Sequence, residues 1–197
     1  MASREAFLAR VRAAQPVAPE LSELPEVPLF DTPPGDLRER FTAALKGMGG
    51  DCVAVRDAAE VAALIRERHG EDAVVCSAAP EVPGTRALTA DTPPESLEDV
   101  DVGVLRARFG VAETGSIWVS EREYTVNALG YLVQHLVVLL DPAQLVAGLQ
   151  DVYRRPDFRE ARYAALVTGP SATADIEGVL ILGAQGVRSL TVAWLAP

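Results

Sequence analysis

One segment of the chain, residues 166–177, combines a strand-like apolar run with a tight turn and several hydroxyl side chains in the sequence LVTGPSATADIE. Gly169 allows a close approach of the backbone, and Ser171 and Thr173 offer hydroxyls beside backbone amides at a predicted helix start. Such an arrangement suits a carboxylate or phosphate group. In the alternative, Ser171 or Thr173 caps the helix and Asp175 interacts with its dipole.

Two further segments carry candidate groups. In AETGSIWV, residues 112–119, a carboxylate, a hydroxyl and a glycine precede a predicted strand. Glu113 has the chemistry of a general base, a nucleophile or a ligand-orienting group, and the alternative is an exposed turn carboxylate. In GAQGVR, residues 183–188, a glycine turn carries one cation. Arg188 suits either a bidentate contact with an anion or a surface ion pair.

The composition excludes several classes of protein. A chain of 197 residues that is 49% hydrophobic and 23% charged is typical of a compact globular domain. Its net charge of −10 repels phosphate backbones and anionic lipids, so neither nucleic-acid nor membrane binding is expected. Two cysteines and two histidines are too few for an iron–sulfur cluster or a cysteine zinc site, so we expect no metal and no cofactor in this chain.

The sequence also indicates a location. No apolar run approaches the about 18 residues that a membrane-spanning helix needs. Cys52 and Cys76 lack CxxC spacing and fit buried thiols in a reducing compartment. A cytoplasmic protein is therefore expected.

The predicted elements must position these groups. Residues 1–50 contain a helix over 3–14, an arm with six prolines over 16–34 and a linking helix over 35–48. Residues 51–197 then alternate strands and helices, which predicts an α/β fold with a mainly parallel sheet covered by helices on both faces. The predicted strands cover 51–55, 73–77, 102–107, 115–120, 132–140, 164–168 and 189–195, with helices over 57–69 and 142–153 and a helical turn near 173.

The remaining candidates have simpler interpretations. His135 is expected to be a hydrogen-bonded strand histidine, and His69 a cation at a helix end. A triad of Ser171, His135 and Asp175 would lack the strained turn that such a nucleophile needs. Trp118 lies in a strand, where core packing is expected.

Together, the three motif segments resemble the lactate utilisation protein C family, the single-domain branch of the LUD-domain proteins. The segments TGPSATADIE at 168–177, AETGS at 112–116 and GAQGVR at 183–188 carry the resemblance, which covers residues 51–197. It implies a fold of the sugar-phosphate isomerase and CoA-transferase-like class. It also implies a role in the bacterial oxidation of lactate to pyruvate, alongside iron–sulfur partner proteins that hold the clusters.

The leading hypothesis is an accessory subunit that binds a small carboxylate ligand or docks the iron–sulfur subunits. The alternative is a stand-alone enzyme of the same fold class that acts on a phosphorylated or CoA-linked small molecule. A third hypothesis is an interaction module whose partner surface is the N-terminal helix and arm. The family commonly has histidine and proline where this chain has Gln185 and Val187, and an amide does not titrate near neutral pH.

The hypothesis assigns roles to individual residues. Glu113 and Asp175 orient a hydroxyl or accept a proton, and Arg188 supplies positive charge. The expected ligand-binding residues are Thr114, Gly115, Ser116, Thr168, Gly169, Ser171, Thr173 and Arg188.

Overall fold

The computed structural model describes residues 3–15, 26, 28, 35–174 and 178–196. The first element is helix α1 (Arg4–Ala13), which begins where the Ser3 hydroxyl accepts a hydrogen bond from the Ala6 N–H, as predicted. None of its side chains is buried, and Phe7 is 54% exposed. Most of the proline-rich arm lies outside the described residues.

The rest of the described chain alternates short strands with helices. The helices are α2 (Leu37–Gly47), α3 (Ala58–His69), α4 (Glu121–Tyr124), α5 (Leu149–Arg154) and α6 (Pro156–Glu160). The strands are β1 (Asp51–Ala54), β2 (Val75–Ser77), β3 (Val102–Arg106), β4 (Phe109–Val111), β5 (Ser116–Ser120), β6 (His135–Leu140), β7 (Leu145–Val146), β8 (Ala164–Val167), β9 (Ala172–Thr173), β10 (Ile181–Leu182) and β11 (Ser189–Trp194).

Side-chain caps explain where the two longer helices of the domain begin. Asp36 accepts hydrogen bonds from the backbone amides of Arg38 and Glu39 at the start of α2. Asp57 caps α3 in the same way by accepting from the Glu60 N–H. These carboxylates satisfy amides that have no partner within the helix. Both predicted helices are confirmed, and α2 begins at Leu37 rather than at residue 35.

The central sheet is parallel and has five strands in the order β1-β11-β6-β3-β2. One face packs against α3 through Val61 and Ile65. The other face packs against α2, whose Phe41 and Leu45 are fully buried, and against Tyr124 of α4. The α/β fold with a mainly parallel sheet between helices is therefore confirmed, and the predicted linking helix is packed into the core.

A second sheet completes the core and was not predicted. It has the order β7-β4-β5-β8, and its Ile117 and Val119 face the central sheet beside α2. Its other face carries Phe109 and Trp118, which pack against Val152 of α5. In the described part of the chain, no helix combines the length and the apolar character that crossing a bilayer requires.

Two predicted helices are wrong. The helix expected over 142–153 starts only at Leu149, because Pro142–Gln144 forms a single 3-10 turn and β7 then pairs with β4. The helical turn expected near residue 173 is a strand instead, because β9 pairs with β10 in an antiparallel hairpin. In both places, backbone pairing with a neighbouring strand outweighs local helix signals.

Candidate functional site

The first two motif segments meet at the ends of two paired strands. Strands β5 and β8 are antiparallel, so Ser116 at the start of β5 lies beside Thr168, which directly follows β8. The Oγ atom of Ser116 is 2.5 Å from Oγ1 of Thr168 and 2.7 Å from Oγ1 of Thr114. The three hydroxyls therefore form a hydrogen-bonded chain that runs from half-buried Thr114 through Ser116, which is only 3% exposed, to half-buried Thr168.

The third motif segment joins the first through Ser171. Its hydroxyl donates to the Gln185 carbonyl at 2.5 Å, and its N–H donates to the Val187 carbonyl at 2.8 Å. Gly183 returns a hydrogen bond to the Ser171 carbonyl. All three motifs therefore form one connected structure, in which the Ser171 hydroxyl donates its proton to the backbone.

Two motif glycines serve the packing of α2. Gly115 has φ +67°, and a Cβ atom there would be 2.3 Å from the Leu45 nitrogen. Gly169 has φ +68°, and its Cβ would be 2.4 Å from the Met48 carbonyl oxygen. The close backbone approach that the sequence suggested at Gly169 is therefore an approach to the end of α2.

Glu113 lies exposed in the turn between β4 and β5. Its Oε2 accepts a hydrogen bond of 2.9 Å from the backbone N–H of Leu149, which is the first residue of α5. The carboxylate therefore satisfies one of the free amides at that helix start. This geometry matches the exposed turn carboxylate that the sequence left open as the alternative for Glu113.

The other predicted residues occupy different positions. Asp175 lies outside the described residues, and Thr173 lies in β9. Arg188 is exposed and directly precedes β11. The pKa of His135 is lowered, first by burial and then by the charge of Arg188. His135 bonds through Nδ1 to the Ser189 hydroxyl at 2.8 Å, which confirms it as a hydrogen-bonded strand histidine.

A cleft of about 640 Å³ opens beside the connected motifs, and we call it the motif cleft. Its lining is mostly apolar, and Leu136 and Leu190 place it near the amino ends of β6 and β11. Arg188 is not among its lining residues. The motif residues that line it are Leu166, Val167, Thr168, Gly169, Pro170, Ser171, Gln185, Gly186 and Val187.

Sequence reasoning missed a group of three tyrosines, one of which lines this cleft. Tyr131 lines it, and its hydroxyl bonds to that of Tyr163 and lies 3.5 Å from that of Tyr124. The hydrogen bond with Tyr131, together with partial burial, raises the pKa of Tyr163 to about 12. Burial also raises the pKa of Tyr124. No spacing pattern in the sequence brings these three residues together, so only the fold reveals the group.

The fold and the site together define an α/β protein whose motif segments meet beside one cleft. A family model described as the LUD domain matches residues 38–193, and the chain belongs to that family, which is associated with lactate utilisation proteins. The crystal structure of a DUF162 family protein from Deinococcus radiodurans is similar in fold. It shares 18% identity at a TM-score of 0.61, over 81% of this chain and 96% of that one. A search of curated proteins returns no match.

Proposed function

We propose that this chain is an accessory subunit of cytoplasmic lactate oxidation in bacteria, and that it binds a small carboxylate such as lactate or pyruvate in the motif cleft. The family association supports the pathway. The observation that carries the binding role is the union of the three motifs beside one cleft, through the Ser116–Thr168 and Ser171–Gln185 hydrogen bonds.

The hydroxyl chain can direct a proton toward such a ligand. If Thr114 donates to Ser116 and Ser116 donates to Thr168, the Thr168 O–H is left to donate into the cleft. A hydrogen bond to a carboxylate is stronger than one to a neutral group. If Tyr163 donates to the Tyr131 hydroxyl, the Tyr131 O–H is left as a second donor at the same cleft. The apolar lining suits the methyl group of a three-carbon acid.

The position of Glu113 favours binding over proton transfer. Its carboxylate already accepts a hydrogen bond at the start of α5, and it is not among the lining residues of the motif cleft. In this proposal the electrons of lactate oxidation pass to iron–sulfur partner proteins. This chain then holds the acid and docks those partners.

Calorimetric titration with lactate and pyruvate tests the binding role. Thr168→Val keeps the side-chain shape but removes the donor, so we expect at least about tenfold weaker binding, the equivalent of a hydrogen bond to a charged group. Thr89→Val, in an exposed loop, is the matched control and should bind like the unmodified chain. Absence of heat with both acids, or equal affinities for the two variants, would contradict the proposal.

Docking has a separate test. α1 buries none of its side chains in the described domain, so it is available for a partner. We expect that removing residues 1–15 leaves the melting temperature of the domain unchanged and abolishes co-purification with the iron–sulfur subunits. Undiminished co-purification would exclude α1 as the docking element.

A further inference from the structure

A second cleft, of about 510 Å³, lies at the opposite end of the central sheet. Arg106, the last residue of β3, and Asp141, directly after β6, both line it. We call it the carboxyl-end cleft, because it lies beyond the carboxyl ends of parallel strands. Open α/β sheets commonly bind their ligands at this end. None of the motif residues lines it.

Two arginines at this cleft are held by a single carboxylate. The Nε atom of Arg108 is 2.8 Å from Oδ1 of Asp157, and the Nε atom of Arg155 is 3.0 Å from Oδ2. The Asp157 side chain is 13% exposed. Although partial burial raises its pKa, the hydrogen bonds from the two guanidinium groups hold that pKa below the usual range. Asp157 is therefore ionised and fixes both cations in place.

The outer nitrogens of both guanidinium groups remain available. Each group donates to Asp157 through Nε, and the hydrogen bonds of the described residues include none from its terminal nitrogens. The charges of Glu123 and Glu160 also act on Arg108. The Arg155 group also lies 4.3 Å from the centre of the Phe109 ring, which further restricts its orientation. Asp157 thus fixes the Nε side of both guanidinium groups, and their outer donors are preorganised.

The other charged groups of the lining are mostly occupied. Arg106 pairs with Glu81 and donates to the Leu195 carbonyl. Glu123 accepts hydrogen bonds from the N–H and hydroxyl of Ser120. Asp141 accepts one from the Ala143 N–H and forms no ion pair in the described chain.

We propose that the carboxyl-end cleft binds the phosphate group of a small hydroxylated metabolite, with Arg108 and Arg155 on the phosphate and Asp141 and Gln144 on the hydroxyls. One guanidinium group is enough to pair with a carboxylate, whereas two suit a tetrahedral dianion. Carboxylate and amide oxygens accept hydrogen bonds from sugar-like hydroxyls. The site is separate from the motif cleft and does not depend on the function proposed there.

Chemical protection of the unmodified full chain is the first test. Phenylglyoxal labels accessible arginines, and mass spectrometry locates the adducts. We expect inorganic phosphate to slow labelling of Arg108 and Arg155 by at least fivefold while the exposed Arg159 is labelled at the same rate. Chloride at equal ionic strength should protect none of them. Equal rates at Arg108 and Arg155 with and without phosphate would overturn the proposal, and no substitution is needed to reach that result.

Variants then assign the contacts. Arg108→Gln and Arg155→Gln should each weaken phosphate binding at least tenfold, measured by calorimetry. Arg159→Gln, which removes the same charge from a neighbouring exposed position, should leave it unchanged. Equal weakening in all three would indicate a general charge effect and overturn the assignment. Lactate binding should survive in Arg108→Gln and fail in Thr168→Val, so the two proposed sites fail independently.

A phosphorylated sugar and inorganic phosphate distinguish the two halves of the cleft. A sugar phosphate should bind at least tenfold more tightly than phosphate alone, because Asp141 and Gln144 add contacts to its hydroxyls. Asp141→Asn should reduce that preference without changing the affinity for inorganic phosphate. No preference in the unmodified chain would remove the hydroxyl contacts from the proposal.

Discussion

The Glu113 carboxylate stabilises the start of α5, and this contact predicts what its removal does. Because Oε2 accepts from the Leu149 N–H, Glu113→Ala should lower the free energy of unfolding by about 1 kcal/mol, a usual value for the loss of a helix cap. Glu113→Gln keeps an acceptor oxygen and should cost less. Urea unfolding measures both changes. Both variants should bind lactate as tightly as the unmodified chain. Loss of lactate binding in Glu113→Gln without loss of stability would restore a ligand-orienting role.

Gly169 carries a different prediction, because its surroundings are filled. Both Gly169 and Gly178 have positive φ, at +68° and +71°, but a Cβ at Gly178 meets no atom within 4 Å. Substitution by alanine should cost about 1–2 kcal/mol at either site for the left-handed backbone conformation. Gly169→Ala also forces a Cβ against the Met48 carbonyl oxygen, so its melting temperature should fall clearly further. Equal losses in the two variants would show that Met48 moves aside without cost.

The roles of these residues were only partly predictable. The sequence identified the segments that contain Thr168, Ser171 and Glu113, because glycine, hydroxyl and carboxylate side chains stand out beside apolar runs. It did not reveal that Ser171 donates to the Gln185 carbonyl, because that bond links residues on separate turns. Residue types thus show which side chains could do chemistry, whereas the fold decides which of them already have a hydrogen-bond partner.

At the scale of elements, the contact between α3 and β6 brings the two histidines of the chain together. His69 ends α3, His135 begins β6, and their ring centres are 4.3 Å apart. Burial lowers the pKa of both histidines. The charge of His135 also lowers that of His69, and the charge of Arg188 lowers that of His135. The folded chain therefore takes up protons at these sites less readily than the unfolded chain.

This difference predicts a dependence of stability on pH. Above about pH 6.5, the usual histidine pKa, both rings are neutral in the folded and in the unfolded chain. The free energy of unfolding then loses nothing to histidine protonation. As the pH falls below that value, the unfolded chain binds protons first, and the free energy of unfolding decreases. Urea unfolding at pH 7.5 and 5.5 should show the loss. The double variant His69→Gln/His135→Gln contains no histidine, so its free energy of unfolding should change much less between the two pH values. A change as large as that of the unmodified chain would show that carboxylates cause it.

Element prediction succeeded for α2 and α3, the two longer helices of the domain. It failed at residues 145–146, where two residues within an expected helix pair with β4 instead. It failed again at residues 172–173, where hydroxyl side chains suggested a helix start but β9 pairs with β10. Both errors concern two-residue strands, which form by pairing with another segment and leave almost no local pattern.

At the scale of the whole molecule, the alternation of strands and helices predicted the parallel sheet, and the structure adds a second sheet on one face. That second sheet holds Ser116 against Thr168 and positions Phe109 beneath Arg155. The same layer therefore contributes to both clefts. It was not predicted because two of its strands, β4 and β7, are too short to show a pattern, and the pairing of the other two, β5 and β8, depends on the fold.

The two clefts at opposite ends of the sheet predict independent binding. Each ligand at about 100 times its dissociation constant should stabilise the fold by about 2.7 kcal/mol. If lactate occupies the motif cleft and a sugar phosphate the carboxyl-end cleft, the two stabilisation energies should add when both ligands are present. Urea unfolding with one ligand, the other and both measures the sum. A total no larger than either single effect would indicate one shared site.

The place of β11 in the sheet bears on how the protein is made. This strand lies between β1 and β6, yet the ribosome synthesises it long after both of them. Until Ser189–Trp194 has left the exit tunnel, β1 has no neighbour in the central sheet. The long-range pairing that joins β1 through β11 to β6 cannot form before then. Folding of this domain is therefore expected to finish after translation of β11, and the nascent chain exposes two unpaired strand edges to chaperones in the interval.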